Sequence, residues 1–234
     1  DAMKADSEDT PFSFAKRRAL GRLGDESLDK APAGAVDEAA VPLVTAVNDL
    51  EAYVTTSTCA GRCVVYAAPL LGDDAKRRGR WLYCSHEGVT GSAVRSALAS
   101  FESSTEETAT LKFEPPLAHV RCATLKAADR LAKLALRLGY RESGITSLTA
   151  PAGPLVALRS TAAALAAPLG YFREGRWHQL PDDDYIDHVA ALATKRLDAA
   201  RHKLATLVDA LRQELKDDDD DDRDFDDDAE NAPL

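Results

Sequence analysis

The spacing of apolar residues changes from a helical to a strand-like period near Tyr53, so this chain must combine helices and strands. Residues 37–50 have a helical pattern, with Asp37 as the N-cap or as a first-turn acid and Pro42 near the first turn. Residues 53–59 and 63–66 are instead rich in β-branched and aromatic side chains, which favour strands. The three residues between these two segments predict a tight connection of the hairpin type.

Segments of both kinds alternate over the rest of the chain. Further strands are predicted at residues 81–85, 111–113, 119–124, 145–148 and 155–158. Further helices are predicted at residues 12–23, 92–101, 126–138 and the alanine-rich 161–169, and residues 172–181 predict a loop. The predicted fold class is therefore α/β (α+β), a single compact domain in which helices flank one mixed β-sheet.

A long amphipathic helix is predicted near the C-terminus. Ala or Leu occupies positions 190, 193, 197, 200, 204, 207 and 211, three and four residues apart. A helix of about 30 residues would be roughly 45 Å long. This spacing also suits a coiled coil, but alanine fills about half of the seam. We therefore expect the helix to pack across the sheet of its own domain.

The negative charge of the chain is concentrated in a C-terminal tail. Residues 217–230 hold 11 acidic residues and one arginine; without them, the chain's 39 acidic and 29 basic residues become 28 of each. Like-charge runs of this kind stay solvated and disordered. We therefore expect a flexible N-terminus over residues 1–11, a folded domain over residues 12–216 and a disordered Asp-rich tail over residues 217–234.

The cysteine pattern favours an intracellular protein without a structural metal. Cys59, Cys63, Cys84 and Cys122 lie in apolar or strand-like contexts, without CxxC pairs or the density of a secreted disulfide scaffold. We expect reduced thiols, no bound metal and a cytoplasmic location. No charge-free stretch approaches the ~20 apolar residues that a membrane helix needs, so we expect no membrane span.

Polar side chains recur where the predicted strands end. They occur in TTSTCAGR (55–62), WLYCSH (81–86), KFEPPLAHV (112–120), YRESG (140–144) and VALRS (156–160). Each motif alone is compatible with a solvated turn or surface ion pair. Their repetition predicts that these strand ends converge on one rim if the sheet is continuous.

These residue types leave more than one chemistry open. Cys59 beside His86 or His119 would form the nucleophile and base of a thiol hydrolase, although a free cysteine is usually a small buried hydrophobe. The sequence contains no GxGxxG after a strand, no P-loop and no HExxH. A bound cofactor would therefore be held in an uncommon way.

Together with GAVDEA (34–39), the five motifs resemble the family of tRNA wybutosine-synthesising protein 3, over about residues 12–210. The resemblance implies an S-adenosylmethionine-dependent methyltransferase. Its substrate would be the tricyclic wybutosine precursor at the guanosine next to the anticodon of phenylalanine tRNA, methylated at N4. It also implies an α/β fold other than the Rossmann-like methyltransferase fold.

The resemblance implies one set of matched site residues, whose separate roles we assign as hypotheses. The catalytic candidates are His86 and His119, either of which would remove the proton of the acceptor nitrogen. The substrate-binding candidates are Lys112, Glu114 and Arg141. The cofactor-binding candidates are Asp37, Ser57, Thr58, Cys59, Gly61, Arg62, Ser85, Glu142, Ser143, Gly144 and Arg159.

Within the cofactor set, two roles stay open. Arg62 or Arg159 would hold the methionine carboxylate, because a guanidinium offers a fork of donors. Asp37 or Glu142 would accept from the ribose hydroxyls.

The expected partners follow from the same resemblance. They are phenylalanine tRNA and, by association or fusion, other enzymes of wybutosine synthesis, and the chain itself is expected to be a monomer. The main competing function is a non-catalytic RNA-binding protein. The neutral body disfavours that alternative, since modules that only bind RNA usually carry a basic face across the domain.

Overall fold

Nine strands and five α-helices lie in the part of the chain that the computed structural model describes, which is residues 10–23, 36–69, 79–103, 106–148 and 151–215. Among these residues, no helix combines the length and the apolar character needed to cross a bilayer. The predicted N-terminal flexibility over residues 1–9 and the predicted disorder of the Asp-rich tail concern residues outside the described ranges.

The helices and strands follow the predicted alternation along the chain. The helices are α1 (Pro11–Leu20), α2 (Val41–Asn48, after a 3-10 turn at Glu38–Ala40), α3 (Gly91–Ala99), α4 (Leu125–Arg137) and α5 (Asp183–Glu214). The strands are β1 (Tyr53–Cys59), β2 (Arg62–Pro69), β3 (Arg80–Ser85), β4 (Glu107–Glu114), β5 (Leu117–Cys122), β6 (Gly144–Ser147), β7 (Leu155–Arg159), β8 (Leu165–Arg173) and β9 (Arg176–Gln179). The predicted α/β class is confirmed.

The chain divides into two compact units, each assembled from separated stretches. The first unit takes the residues up to Cys59, residues 117–160 and the residues from Leu204 onward. Its four strands have the order β1-β5-β7-β6, with antiparallel neighbours throughout. Helix α4 buries its apolar face, and the Tyr53 hydroxyl on β1 donates to the Ala127 carbonyl of α4 over 3.1 Å.

The second unit takes residues 60–116 and 161–203. Its five strands have the order β3-β2-β4-β8-β9, again antiparallel. Helices α3 and α5 pack on one face of this sheet, where alternate strand residues such as Val65, Leu111 and Leu169 meet Val94 and Ile186 in one core. Period-2 alternation in the strands and helical spacing in α5 thus build this core together.

The long C-terminal helix is confirmed. Helix α5 has 32 residues, and positions 190, 193, 197, 204, 207 and 211 of the predicted seam are buried, while Ala200 is half-buried. Residues 183–203 of the helix belong to the second unit, where Ala190, Ala193 and Leu197 contribute to the core beside the sheet. The helix therefore packs across a sheet of its own chain, as expected from the alanine content of its seam.

The predicted hairpin at residues 53–66 is wrong, as is the single mixed sheet. Strand β1 pairs with β5, and β2 pairs with β3 and β4, so the two segments belong to different sheets. Gly61 lies between them with φ +90° in the left-handed region. A Cβ there would lie 3.2 Å from the Glu114 carbonyl. Glycine has no Cβ, so it fits this connection between β1 and β2.

The predicted helix at residues 161–169 and the predicted loop at 172–181 are also wrong. Strand β8 runs between β4 and β9, with Ala167 and Leu169 buried in the core and Pro168 exposed. Alanine favours helices only weakly, and packing in a sheet overrides that preference. Pro168 also disfavours a helix interior, and it lies where the β4–β8 register shifts, a position that tolerates the missing N–H.

Candidate functional site

The residues predicted to form one site are divided between the two sheets. Their predicted convergence on one rim assumed a continuous sheet, and that assumption is wrong because two sheets are present. The first unit holds Asp37, Ser57, Thr58, Cys59, His119, Arg141, Glu142, Ser143, Gly144 and Arg159. The second unit holds Gly61, Arg62, Ser85, His86, Lys112 and Glu114.

Several candidates of the first unit share one face of the four-stranded sheet. Ser57 lies opposite His119, which lies opposite Ala157. One step along, Cys59 lies opposite Leu117, which lies opposite Arg159. Directly opposed residues point to the same side of a sheet, and residues two apart on a strand do so as well. These two rows therefore form one surface, which we call the polar face.

The opposite face of the same sheet carries its apolar residues. Ala118, Val120 and Cys122 of β5 alternate with the residues of the polar face, and all three are buried. Thr58 lies opposite Ala118 and so points to this buried side rather than to the polar face. The strand sequence thus separates a packed apolar face from a face that carries the polar side chains.

His119 is held by two hydroxyl residues of β1. Ser57 Oγ lies 2.9 Å from His119 Nδ1, and the Thr56 hydroxyl donates to the His119 carbonyl over 3.1 Å. The register of β1 shifts between Thr55 and Ser57, at a bulge that brings both hydroxyls to the same residue. In the tautomer whose Nδ1–H donates to Ser57 Oγ, Nε2 is unprotonated and is the atom available to accept a proton.

Arg159 ends β7 and is braced by the loop before β6. Its Nε donates to the Glu142 carbonyl over 3.0 Å, and its backbone N–H donates to Ser143 Oγ over 3.0 Å. The Ser143 hydroxyl lies 3.3 Å from the Arg159 carbonyl in return. Among the described residues, nothing bonds the two Nη atoms of Arg159, so one edge of an exposed guanidinium stays available to an anion.

The other candidates of the first unit lie in separate turns and at a strand end. The Asp37 carboxylate caps the 3-10 turn through the Ala39 N–H and lies within 4.8 Å of the Cys59 thiol. Gly144 begins β6 opposite Ala157 and so continues the His119 row. Arg141 is exposed in the turn after α4. The polar face and its surroundings therefore hold an imidazole, a guanidinium, hydroxyls and the Asp37 carboxylate.

Arg62 of the second unit has its guanidinium occupied. Its Nε lies 2.7 Å from Glu114 Oε2, and its Cζ lies 4.4 Å from the centre of the Trp81 ring. Arg62 also lowers the pKa of Cys84 by charge and hydrogen bonding, although burial raises that pKa overall. Of the two arginines proposed for one role, Arg62 is thus committed to its own sheet, whereas Arg159 keeps an open edge.

His86 is fixed by backbone groups of the second unit. Its Nδ1 lies 2.9 Å from the Gly61 carbonyl, an acceptor, so Nδ1 carries the proton in the neutral ring. Arg201 of α5 donates to the His86 carbonyl and contacts Glu87 Oε1 at 3.2 Å. Ser85 bonds the Glu87 N–H through its hydroxyl over 2.9 Å. These contacts order the end of β3.

Buried thiols in this chain are poor nucleophiles. Burial raises the pKa of Cys63 to about 11 and that of Cys122 to about 12. Asp198 raises the pKa of Cys63 further, and Arg201 opposes the shift. Because the thiolate is the reactive form, both residues stay protonated and unreactive near neutral pH. Cys59 is the thiol that belongs to the polar face. The Nδ1 atom of His119, one of the two bases predicted for this thiol, is bonded to Ser57.

Sequence reasoning missed a group of aromatic residues on the second sheet. Tyr66 lies opposite Trp81, and Tyr171 lies opposite His178, all pointing away from the core of that unit. The sequence signal for the outward-pointing residues was the alternation of inward and outward side chains, with a period of two, along β2 and β4. The misassignment of residues 161–181 hid Tyr171 and His178, because it replaced β8 and β9 with a helix and a loop.

Comparison with known families gives one match over most of the chain. The family described as "Methyltransferase TYW3" matches residues 15–213. A mouse protein named tRNA wybutosine-synthesizing protein 3 homolog is 32% identical over 84% of this chain and 74% of its own length. A rice protein named tRNA wybutosine-synthesizing protein 2/3/4 is 30% identical over 87% of this chain. This chain spans only 20% of that rice protein.

The fold also matches a solved structure. The PH1069 protein from Pyrococcus horikoshii superimposes with a TM-score of 0.73 at 29% sequence identity. The match covers 86% of this chain and 96% of that one. The fold is therefore shared with the PH1069 protein over nearly the whole length of that protein.

Proposed function

The chain belongs to the TYW3 methyltransferase family, and on that premise we propose that it transfers the methyl group of S-adenosylmethionine to N4 of the tricyclic wybutosine precursor in phenylalanine tRNA. The printed names of the mouse and rice relatives support a role in wybutosine synthesis. The cofactor, the N4 position and the tRNA substrate are the finer parts of this proposal, and the residues of the polar face support them.

The open edge of Arg159 carries the proposal. S-adenosylmethionine bears a carboxylate, two ribose hydroxyls and a sulfonium, so a fitting site needs a fork of donors and a nearby acceptor. Arg159 supplies the fork through its Nη atoms, and its Nε bond to the Glu142 carbonyl holds the guanidinium plane in place. We assign the methionine carboxylate to Arg159 rather than Arg62, whose Nε is bonded to Glu114.

The rest of the cofactor set takes supporting roles. Asp37 and Glu142 are the two acids of the first unit that would accept from the ribose hydroxyls. Ser143 holds the Arg159 backbone, and Gly144 leaves space at the start of β6, where a Cβ would meet nothing within 4 Å. Ser57 and Cys59 shape the β1 edge of the face, and Thr58 between them points to the packed side. Gly61 and Ser85 order the end of the second sheet.

When bound, S-adenosylmethionine supplies a methyl group activated by the positive sulfur. The chain's own task is alignment, because methyl transfer is an in-line displacement without a covalent enzyme intermediate. His119 acts as the base, accepting the proton of the acceptor nitrogen at Nε2 while Ser57 holds Nδ1. Lys112 and Arg141 are assigned to the phosphates of the tRNA, since cations on a surface meet phosphates. Glu114 is assigned to the same substrate through its hold on Arg62.

The proposal extends to partners and setting. The rice relative's name, 2/3/4, supports association or fusion with other enzymes of wybutosine synthesis. We propose a cytoplasmic protein that acts as a monomer on tRNA. A non-catalytic RNA-binding protein is the alternative, and it predicts no affinity for the methyl donor.

Calorimetric titration with S-adenosylmethionine separates these two functions and tests the role of Arg159. We expect saturable binding to the wild type and a loss of about ten- to hundredfold in affinity in Arg159→Ala, because a hydrogen bond to a charged group contributes about 1.5–3 kcal/mol. Arg62→Ala is the matched control, and we expect it to bind the cofactor as the wild type does.

Two results would count against this account. Absence of any heat with the wild type would favour the RNA-binding alternative. Equal weakening in both arginine variants would mean that the guanidinium of the first unit has no special role.

A further inference from the structure

The five-stranded sheet presents a second face that the core does not use. Cys63, Val65 and Ala67 of β2 point into the core of the second unit, so the alternate residues of β2 point outward. Apart from buried Val64, the outward positions of the five strands are exposed or half-buried. We call this surface the open sheet face; its members are Arg62, Tyr66, Trp81, Cys84, Thr108, Thr110, Lys112, Glu114, Ala166, Pro168, Tyr171, Arg173, Arg176 and His178.

Aromatic rings lie in two adjacent rows of this face. Trp81, Tyr66, Thr110 and Pro168 are directly opposed across four neighbouring strands. In the next row, Tyr171 lies opposite His178, and their rings stack with centroids 5.0 Å apart and planes 15° from parallel. Trp81 is 39% exposed although it is one of the largest apolar side chains. Flat rings in such rows can stack with nucleobases, at about 1–3 kcal/mol per base.

Cations accompany the rings. The Lys112 Nζ lies 4.5 Å from the centre of the Tyr66 ring, and the Arg62 guanidinium lies over Trp81. Arg173 and Arg176 lie opposite each other beside the Tyr171 row. Among the described outward strand positions, Glu114 is the one acid against these four cations. Arg62 is paired with Glu114, and Arg173 lies 3.9 Å from Glu106 and 3.8 Å from Glu174. Lys112 and Arg176 are the two cations of this face that form no ion pair with an acid of the described residues, so the face keeps two cations for phosphates.

We propose that the open sheet face binds unpaired RNA bases, with the rings stacking on bases and the cations meeting phosphates. Such pairing of aromatic and basic groups on a surface is what single-stranded nucleic acid requires. This inference rests on the proposed function for its occupant, which is the anticodon loop of the substrate tRNA.

The test uses the full chain and an anticodon stem-loop RNA of phenylalanine tRNA. We expect Trp81→Ala to weaken RNA binding about five- to hundredfold, because one stacking partner is lost. Trp81→Phe keeps a flat ring and should restore most of the affinity. Lys112→Gln should weaken binding and lower the slope of log affinity against log salt by about 1, as expected for one phosphate contact.

Phe14→Ala on α1 is the matched control, since Phe14 is 59% exposed but lies on no strand of this sheet. It should leave RNA affinity unchanged. The chain has two tryptophans, and Trp177 packs against Phe101 and Phe172. In a Trp177→Phe background, the remaining Trp81 fluorescence should therefore be quenched when RNA binds.

The outcomes separate the inference from the function on which it rests. Wild-type RNA affinity in Trp81→Ala, or equal competition by a blunt duplex of the same length, would overturn the open sheet face while leaving the methyltransferase intact. Absence of RNA binding by the wild type would overturn both. Weaker RNA binding in Trp81→Ala, with unchanged S-adenosylmethionine affinity and unfolding temperature, would support the inference.

Discussion

Replacing His119 with alanine is expected to slow methyl transfer by about 10²–10⁴-fold at saturating cofactor, the range over which a general base contributes. The imidazole is fixed by Ser57 at Nδ1 and lies in the row next to that of Arg159. Because it accepts the proton of the acceptor nitrogen, its loss should reduce kcat and leave cofactor affinity unchanged. Single-turnover assays with precursor tRNA measure the chemical step directly.

Two variants define what the His119 result means. Ser57→Ala removes the bond to Nδ1 but keeps the base, so a smaller loss of rate is expected. His188→Ala removes an exposed histidine of α5 and should have no effect. Full activity in His119→Ala, combined with a large loss in His86→Ala, would transfer the role of base to the second unit and contradict the assignment.

Replacing Gly153 with alanine is expected to destabilise the protein by about 2–5 kcal/mol, combining left-handed strain with overpacking. Gly153 has φ +97°, and a Cβ there would lie 2.1 Å from the Cys122 carbonyl. The same turn holds β7 in register, because the Cys122 N–H donates to the Pro154 carbonyl over 2.9 Å. Urea denaturation measures the change in the free energy of unfolding.

Gly175→Ala provides the matched control for this prediction. Gly175 also has a positive φ, +72°, but a Cβ there would meet nothing within 4 Å. Only the strain of the backbone remains, at about 1–2 kcal/mol. Equal destabilisation by the two substitutions would mean that the contact with the Cys122 carbonyl does not constrain the turn.

Local patterns were sufficient to predict most of the secondary structure. The seam of α5 and the leucines of α4 follow helical spacing, and β1, β3 and β7 coincide closely with runs of strand-forming residues. The helix predicted at residues 161–169 was wrong for a physical reason. Their alanines favour a helix by small increments, while pairing with β4 and β9 decides the outcome through distant residues.

The partition of the strands was not predictable from local sequence. Nothing in residues 53–66 distinguishes a hairpin from two strands that pair elsewhere, since the partners β4 and β5 lie in a distant stretch of the chain. The pairing register, in turn, decides which candidates share a surface. The motifs gave the residue types of the polar face, but only the register brought Ser57, His119 and Arg159 to the same side.

The roles of individual residues depended on contacts. Sequence reasoning left Arg62 and Arg159 equivalent, and their hydrogen bonds separate them: one is paired with Glu114, and the other keeps its Nη atoms open. His86 and His119 likewise differ by what holds Nδ1, a carbonyl in one case and a hydroxyl in the other.

Transfer of an isotopically labelled methyl group tests the central claim most directly. The wild-type protein is incubated with methyl-labelled S-adenosylmethionine and phenylalanine tRNA from a strain that lacks this activity, and the nucleosides are resolved by tandem mass spectrometry. We expect the label on N4 of the tricyclic base next to the anticodon. Unlabelled tricyclic base after incubation with active cofactor and folded protein, or label at another position, would contradict the account.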